Sequence, residues 1–387
     1  MVQNHSLAHQ AALEIMREAV TILLQEKYNS DNSDQQIKAV IEESKRLLTF
    51  QQDAKIKPLR LLFDRVNITR EADREKSQTN TKQQTDEVKH YWEIDKVNSE
   101  KSDNSEKSEF CPPVPYPNTQ KPSNIEEYKN QLKAEIKLEG KDWENLSLLS
   151  LIVEKYGSFI SFGEEDIAFC DRIRSTAALA AALANNSEAK ELNLVAGDLS
   201  GIQNFIYTIS SDGALKSLRA RSFYLELVTE EIVQQLLEKL ELPRTSVIYA
   251  GGGNIYILAS GEKTVVDKVK DIQNMFNEWL FEQFQGKVFL ALDAIAFNTE
   301  EIQDSRLSDV WQKVPQRLAK QKQQKFYNIW EKLLERNQSF NPPCKVCHRD
   351  DIEKLKPLSD KSDTEACGIC CTMYNLGDKL LKVNTVI

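Results

Sequence analysis

The order of elements along the chain predicts an α+β protein built around a ferredoxin-like βαββαβ unit at residues 191–300, preceded by a mainly helical region and followed by a second helical one. Three observations predict it. A buried apolar run at 192–195 leads into a carboxylate, two β-branched and aromatic runs at 247–249 and 255–258 are joined by glycines, and two long helical patterns separate the runs.

Each element follows from its own residues. The first strand, 192–195, delivers Asp198 at its C-terminal end, with Ser200 and Gly201 just beyond. A helix over 223–240 carries apolar residues at Leu225, Val228, Ile232, Leu236, Leu237 and Leu240 and stops at Pro243. Gly251, Gly252, Gly253 and Asn254 supply the positive φ angles of a tight hairpin. A second helix, 264–284, and a last strand, 288–292, complete the unit.

Nucleotide cyclases and polymerase palms place one metal-binding carboxylate after the first strand of such a unit and an acidic pair on its hairpin, so that two metals clamp a triphosphate. Here the hairpin has glycines and an asparagine but no acid. Asp198 alone cannot hold two divalent ions, each of which needs several oxygen ligands. Backbone N–H groups of a glycine hairpin can still approach a phosphate or ribose closely. Two readings stay open: a nucleotide-contacting domain without catalytic metals, or glycines that only make the turn.

Five of the seven cysteines fall in one short C-terminal window. Cys344 and Cys347 form one Cys-x-x-Cys pair and Cys367 and Cys370 another, with nineteen residues between the pairs. Two such pairs complete a tetrahedral four-thiolate site, the signature of a structural zinc. His348 and Cys371 adjoin the pairs, so either is a possible substitute ligand. A closed four-sulfur site leaves no position for a substrate, which points to folding rather than catalysis.

The remaining chain reads as a frame for these two features. Helical spacing covers 7–28 and 36–48; His5 and His9 stand four apart on a solvated face with no third ligand near. Residues 70–108 are too polar to bury a core, and the prolines at 111–117 form a stiff connector, so a linker or insertion is expected at 70–124. Helical signals return at 125–190 and end in an alanine-rich helix after Asp171 and Arg172. Beyond the βαββαβ unit, a long or Pro315-broken helix at 310–334 carries Lys313, Arg317, Lys320, Lys322 and Lys325. It reads as an exposed charged face or as a track for an RNA backbone.

Lys216, Arg219 and Arg221 form another basic cluster, whose guanidinium forks match phosphates. The net charge of -9 excludes a protein that coats nucleic acid with its whole surface. No apolar run is long enough to span a membrane, and the polar start of the chain lacks the apolar core of a signal peptide, so a cytoplasmic protein is expected.

Three runs, Gly197-Asp198-Leu199-Ser200-Gly201-Ile202-Gln203-Asn204-Phe205-Ile206, Leu218-Arg219-Ala220-Arg221-Ser222-Phe223-Tyr224-Leu225 and Tyr249-Ala250-Gly251-Gly252-Gly253-Asn254, resemble the first Palm domain of the large signature subunit of type III CRISPR effector complexes. The resemblance implies a division into a degenerate HD-like region at 1–69, the linker, a lead-in at 125–190, the first Palm at 191–300 and a zinc-binding domain at 301–387. It also implies nucleotide contacts, with ATP as the possible ligand, at Asp198, Ser200, Gly201, Arg219, Arg221, Gly251, Gly252, Gly253 and Asn254.

The family makes cyclic oligoadenylate from ATP between two Palms on activation by target RNA. This chain ends at Ile387 without the Gly-Gly-Asp-Asp hairpin of the second Palm, and none of its four histidines is followed by Asp, as an HD nuclease requires. The resemblance therefore implies a truncated or split subunit with no activity alone. Its expected partners are other subunits of the antiviral complex, guide RNA, target RNA and a second-Palm polypeptide; half of a split synthase or a remnant are the alternatives.

Overall fold

The computed structural model describes residues 6–24, 34–49, 56–58, 91–92, 117–118, 130, 132–158, 160–163, 167–186, 190–303, 306–331, 341–360 and 362–382. His5, His90, nearly all of the polar stretch and the proline run lie outside these residues. The chain divides into two units, Met1–Ala184 and Asn185–Ile387.

In the first unit, helix α1 (Leu7–Leu24) buries Ala8, Ala11, Ala12 and Ala19 completely, and these small side chains let other elements come close. Arg17 donates from Nε to the Trp143 carbonyl at 2.7 Å, tying α1 to the chain just before α3 (Leu146–Gly157). Helix α2 (Gln35–Leu47) starts at Asp34, whose carboxylate accepts the Gln36 N–H. Just past its last turn Arg172 Nη1 donates to the Leu48 and Thr49 carbonyls, each at 3.4 Å. Arg172 belongs to α4 (Phe169–Asn185), so the arginine at this point of the alanine-rich helix is a buried packing residue. Strand β1 (Ile56–Pro58) pairs antiparallel with β2 (Ile160–Phe162), and Tyr91–Trp92 pairs with Pro117–Asn118.

The second unit holds one four-stranded antiparallel sheet. Its elements run β3 (Glu191–Ser200), α5 (Ile202–Ile206), α6 (Ala214–Leu240), β4 (Val247–Gly251), β5 (Asn254–Ser260), α7 (Thr264–Phe284) and β6 (Phe289–Asn298). The strands lie in the order β4-β5-β3-β6. Strand β3 is thus central, and both neighbours cover its sequence through Asp198.

Several elements of the sheet and its helices differ from expectation. Strand β3 continues through Ser200, because pairing on both sides holds Gly197 and Asp198 extended and β6 alone carries the ladder on to Ser200, despite their low strand propensity. The turn falls instead at Gly201, with φ at +90°. Helix α6 begins nine residues earlier than the apolar spacing indicates, at Ala214. Strand β6 lies further on, ending at Asn298. Helix α7 and the two-glycine hairpin turn, Gly252 at +58° and Gly253 at +82°, match.

After the sheet, helix α8 (Leu307–Gln323) runs through Pro315 without a break but stops eleven residues short of the expected 334. Phe326 takes φ +58°, a short 3-10 turn follows at Tyr327–Ile329, and Lys325 lies beyond the helix. A short β-ladder, β7 (Lys356–Pro357) with β8 (Glu365–Ala366), and helix α9 (Gly368–Lys379) come next. Helix α9 crosses α6 at Gly377, where a Cβ would stand 2.0 Å from the Lys216 carbonyl oxygen; only a glycine fits that approach.

Candidate functional site

Strand alternation decides what shares the end of the sheet. Asp198 lies between Asn254 and Ala291, and Ala196 between Tyr256 and Asp293, so Asp198, Asn254, Tyr256 and Asp293 stand on one face. Gly251 pairs with Asn254, and the Leu199 N–H reaches the Gly253 carbonyl at 2.8 Å. The structure therefore gathers Asp198, Ser200, Gly201 and the 251–254 turn at one end of the sheet.

Helix α8 lies across that face. Lys322 places Nζ 2.7 Å from Asp198 Oδ2, Arg317 places Nε 3.7 Å from Asp293 Oδ2, and Trp311 packs on Tyr256 with ring centroids 4.6 Å apart. Both acids of the face are thus met by cations of a single helix. The sequence shows the basic helix but not its destination: nothing in local spacing pairs Lys322 with Asp198 or brings Asp293 beside them.

The hairpin turn is tight for stated reasons. A Cβ on Gly253 would stand 2.4 Å from the Ile202 side chain, while one on Gly252 would meet nothing within 4 Å. The Gly252 N–H is not free, since Glu226 Oε1 accepts it at 3.2 Å. An anion approaching the turn has to displace that carboxylate. On Gly201 a Cβ would stand 1.9 Å from the Lys287 carbonyl oxygen, so this glycine is required by packing as well as by φ.

The basic cluster on α6 goes elsewhere. Lys216 pairs with Asp378 at 2.7 Å, Arg219 donates to the Gly377 carbonyl at 3.3 Å, and Arg221 donates to Cys370 Sγ at 3.4 Å. All three contacts lie on α9. Arg221 is 2% exposed and its fork is engaged by the protein itself, whereas Arg219 stays exposed beside α9.

Cys344, Cys347, Cys367 and Cys370 bring their sulfurs within 4.8 Å of one another. Metal–sulfur bonds of about 2.3 Å in a tetrahedron put sulfurs about 3.8 Å apart, and the Cys347–Cys367 separation is 3.6 Å, so the donor set fits a metal of thiolate preference. Cys344 Sγ accepts the N–H of Cys367 at 3.2 Å and of Cys347 at 3.5 Å. Hydrogen bonds from the Cys347, Cys367 and Cys370 thiols hold Cys344 far below the usual thiol range. His348 takes φ +63° in the turn and contributes no ligand to the group. Cys371 points instead to the Pro357 and Ala366 carbonyls.

This module is fastened to the sheet unit. Arg349 donates to the Gln283 and Glu282 carbonyls at the end of α7 and is held by Asp351 at 2.8 Å. Cations at a helix C-terminus satisfy its last carbonyls and its dipole. Lys287 Nζ reaches the Cys347 carbonyl.

Residues 191–339 match the family model described as Csm1 subunit domain B. Among curated proteins, the chain is 30% identical over 269 residues to the CRISPR system single-strand-specific deoxyribonuclease Cas10/Csm1 (subtype III-A) of Thermococcus onnurineus, covering 62% of this chain and 34% of that protein. It is 37% identical over 180 residues to the protein of the same description from Enterococcus italicus, covering 46% of this chain and 23% of the relative. The chain thus spans about a third or less of the relatives it matches. Among solved structures, a Csm1–Csm4 cassette in complex with AMPPNP aligns with a TM-score of 0.61 at 20% identity, over 86% of this chain and 51% of that one. That likeness is one of fold. Among the described residues, no helix is long and apolar enough to cross a membrane.

Proposed function

Because the chain belongs to the large-subunit family of type III CRISPR complexes, we propose that it acts as the N-terminal part of such a subunit in an RNA-guided antiviral complex, contacting nucleotide without catalytic metals. In this reading the β4-β5-β3-β6 sheet with α6 and α7 is a ferredoxin-like Palm. Its nucleotide contacts are Asp198, Ser200, Gly201 and the 251–254 turn. Lys322 joins them as the cation nearest Asp198, Arg219 stays in the set as an exposed cation, and Arg221, buried against α9, is read as structural. The AMPPNP held by the structural neighbour is consistent with a nucleotide at this fold.

The observation that carries the reading is the pairing of Asp198 with Lys322 and of Asp293 with Arg317. Each acid already has a cation partner, and two carboxylates supply fewer oxygen ligands than two divalent ions need. Titration of the full chain with ATP tests this. The expected result is binding whose affinity is unchanged when magnesium is replaced by a chelator; binding that vanishes with the chelator would overturn it.

The four cysteines are read as a structural zinc site, which supplies cross-linking and no chemistry. The boundaries read from the sequence remain our assignment of domains, and the cytoplasm our assignment of compartment. Partners in this reading are the other effector subunits, guide and target RNA, and a second-Palm polypeptide. The open side of Gly252 favours one further possibility, a split synthase completed by that polypeptide. Mixing the two with ATP, magnesium and target RNA is then expected to give oligoadenylate, and a well-formed pair that makes none rejects it.

A further inference from the structure

Arg221 is a buried cation without a carboxylate. It is 2% exposed, and its contacts are the Phe205 carbonyl at 3.1 Å from Nη1, Cys370 Sγ at 3.4 Å from Nη2 and the Phe205 ring, 4.7 Å from the guanidinium carbon to the centroid. Its Nε has no hydrogen-bond partner. A guanidinium stays charged under all folding conditions, and a buried charge needs an opposite one. A carbonyl and a ring face offer only partial charge. The remaining neighbour is the four-cysteine group, and four thiolates on a divalent ion carry two net negative charges.

The other arm of the fork reaches a different element. Phe205 lies near the end of α5, the five-residue helix that starts at Gly201, and its carbonyl accepts Arg221 Nη1. Backbone bonds at its ends include Phe205 N–H to the Gly201 carbonyl at 3.0 Å and Tyr207 N–H to the Gln203 carbonyl at 2.9 Å. Five residues do not hold a helix by themselves. Phe205, Arg221, Phe284, Lys287, Cys347 and Cys370 surround one narrow cavity where the two contacts meet.

We infer that Arg221 is a positioning residue that balances the charge of a metal–thiolate centre at the four cysteines and, through Phe205, makes the order of the Gly201 turn depend on metal loading. The inference rests on the metal reading of those cysteines. It gives this arginine a task unrelated to phosphate binding, and it links two features that lie far apart in the sequence.

The test uses the full chain charged with cobalt(II), whose thiolate absorption reports binding, together with amide hydrogen exchange at Phe205 and Tyr207. For the unaltered chain, one equivalent of cobalt is expected, with slow exchange at both amides that accelerates when a chelator strips the metal. In Arg221→Met the affinity for cobalt is expected to fall by about 10–100-fold, the range for residues that support a metal ligand from outside the ligand set. At saturating cobalt, exchange at both amides should still resemble that of the stripped unaltered chain. Arg244→Met, which removes a cation from an exposed pair with Glu230, should match the unaltered chain.

If the methionine variant fails to fold, Arg221→Lys carries the test, since it keeps the charge but loses the fork. It should retain most of the cobalt affinity and lose protection at Phe205. Unchanged affinity in the methionine variant, or unchanged protection in either variant, overturns the inference. An unaltered chain that takes up no cobalt instead removes the metal reading itself, and the inference with it.

Discussion

Lys322 and Asp198 are each about one-third exposed along the side chain, at 32% and 31%. An ion pair this open to solvent contributes only about 0.2–1 kcal/mol, so a phosphate can take the lysine from the carboxylate at small cost. A charge-assisted hydrogen bond to phosphate contributes about 1.5–3 kcal/mol. Lys322→Gln is therefore expected to weaken ATP binding about tenfold or more by calorimetric titration. Glu226→Gln should act in the opposite direction, because it removes the negative charge that competes for the Gly252 N–H. Equal affinities in both variants would show that nucleotide does not touch this end of the sheet. Gly201 is a separate case, since its φ of +90° and the Lys287 carbonyl 1.9 Å from a built Cβ act together. Gly201→Ala is expected to lower stability by at least about 2 kcal/mol in denaturant titration.

At the scale of elements, β6 lies at one margin of the sheet, where unpaired strand groups invite association. Two side-chain amides satisfy alternate residues there. Gln321 donates to and accepts from Leu292, each at 2.9 Å, and Asn277 does the same for Leu290 at 2.9 and 2.8 Å. Gln321→Leu should cost about 1–3 kcal/mol for the groups left unpaired, with concentration-dependent association in sedimentation. An unchanged stability and a strictly monomeric variant would show that water replaces the amide fully. None of this is legible in the sequence, because a glutamine on a basic helix reads locally as solvated surface. Helix α7 and the hairpin are legible: their signals are an uninterrupted apolar period and glycines at positive φ. The four cysteines are legible from spacing alone, as their sulfurs do converge. The destination of Arg221 is not legible, because guanidinium chemistry is the same whether the acceptor is a phosphate or a protein carbonyl.

Within the unit Asn185–Ile387, the cysteine module is held at separate points: Arg349 at the end of α7, Lys287 at the Cys347 carbonyl, Arg221 at Cys370, and Gly377 against Lys216. These anchors reach both α6 and α7, the two long helices of the sheet unit, so the module and sheet should unfold together. A ligand present at 1,000-fold excess over its Kd stabilises by about 4 kcal/mol. For a unit of this size each kcal/mol moves Tm by about 2–4 °C. Stripping the metal is thus expected to lower the melting transition of the whole unit by about 8–16 °C in scanning calorimetry of the full chain. Gly377→Ala should lower the same transition with the metal still bound, because the added methyl forces α9 away from the Lys216 backbone and loosens every anchor behind it. The alternative is a module that melts alone. It would appear as a small separate transition at low temperature after chelation, with the sheet transition unmoved, and would mean that the anchors only rest the module on the sheet without coupling the two.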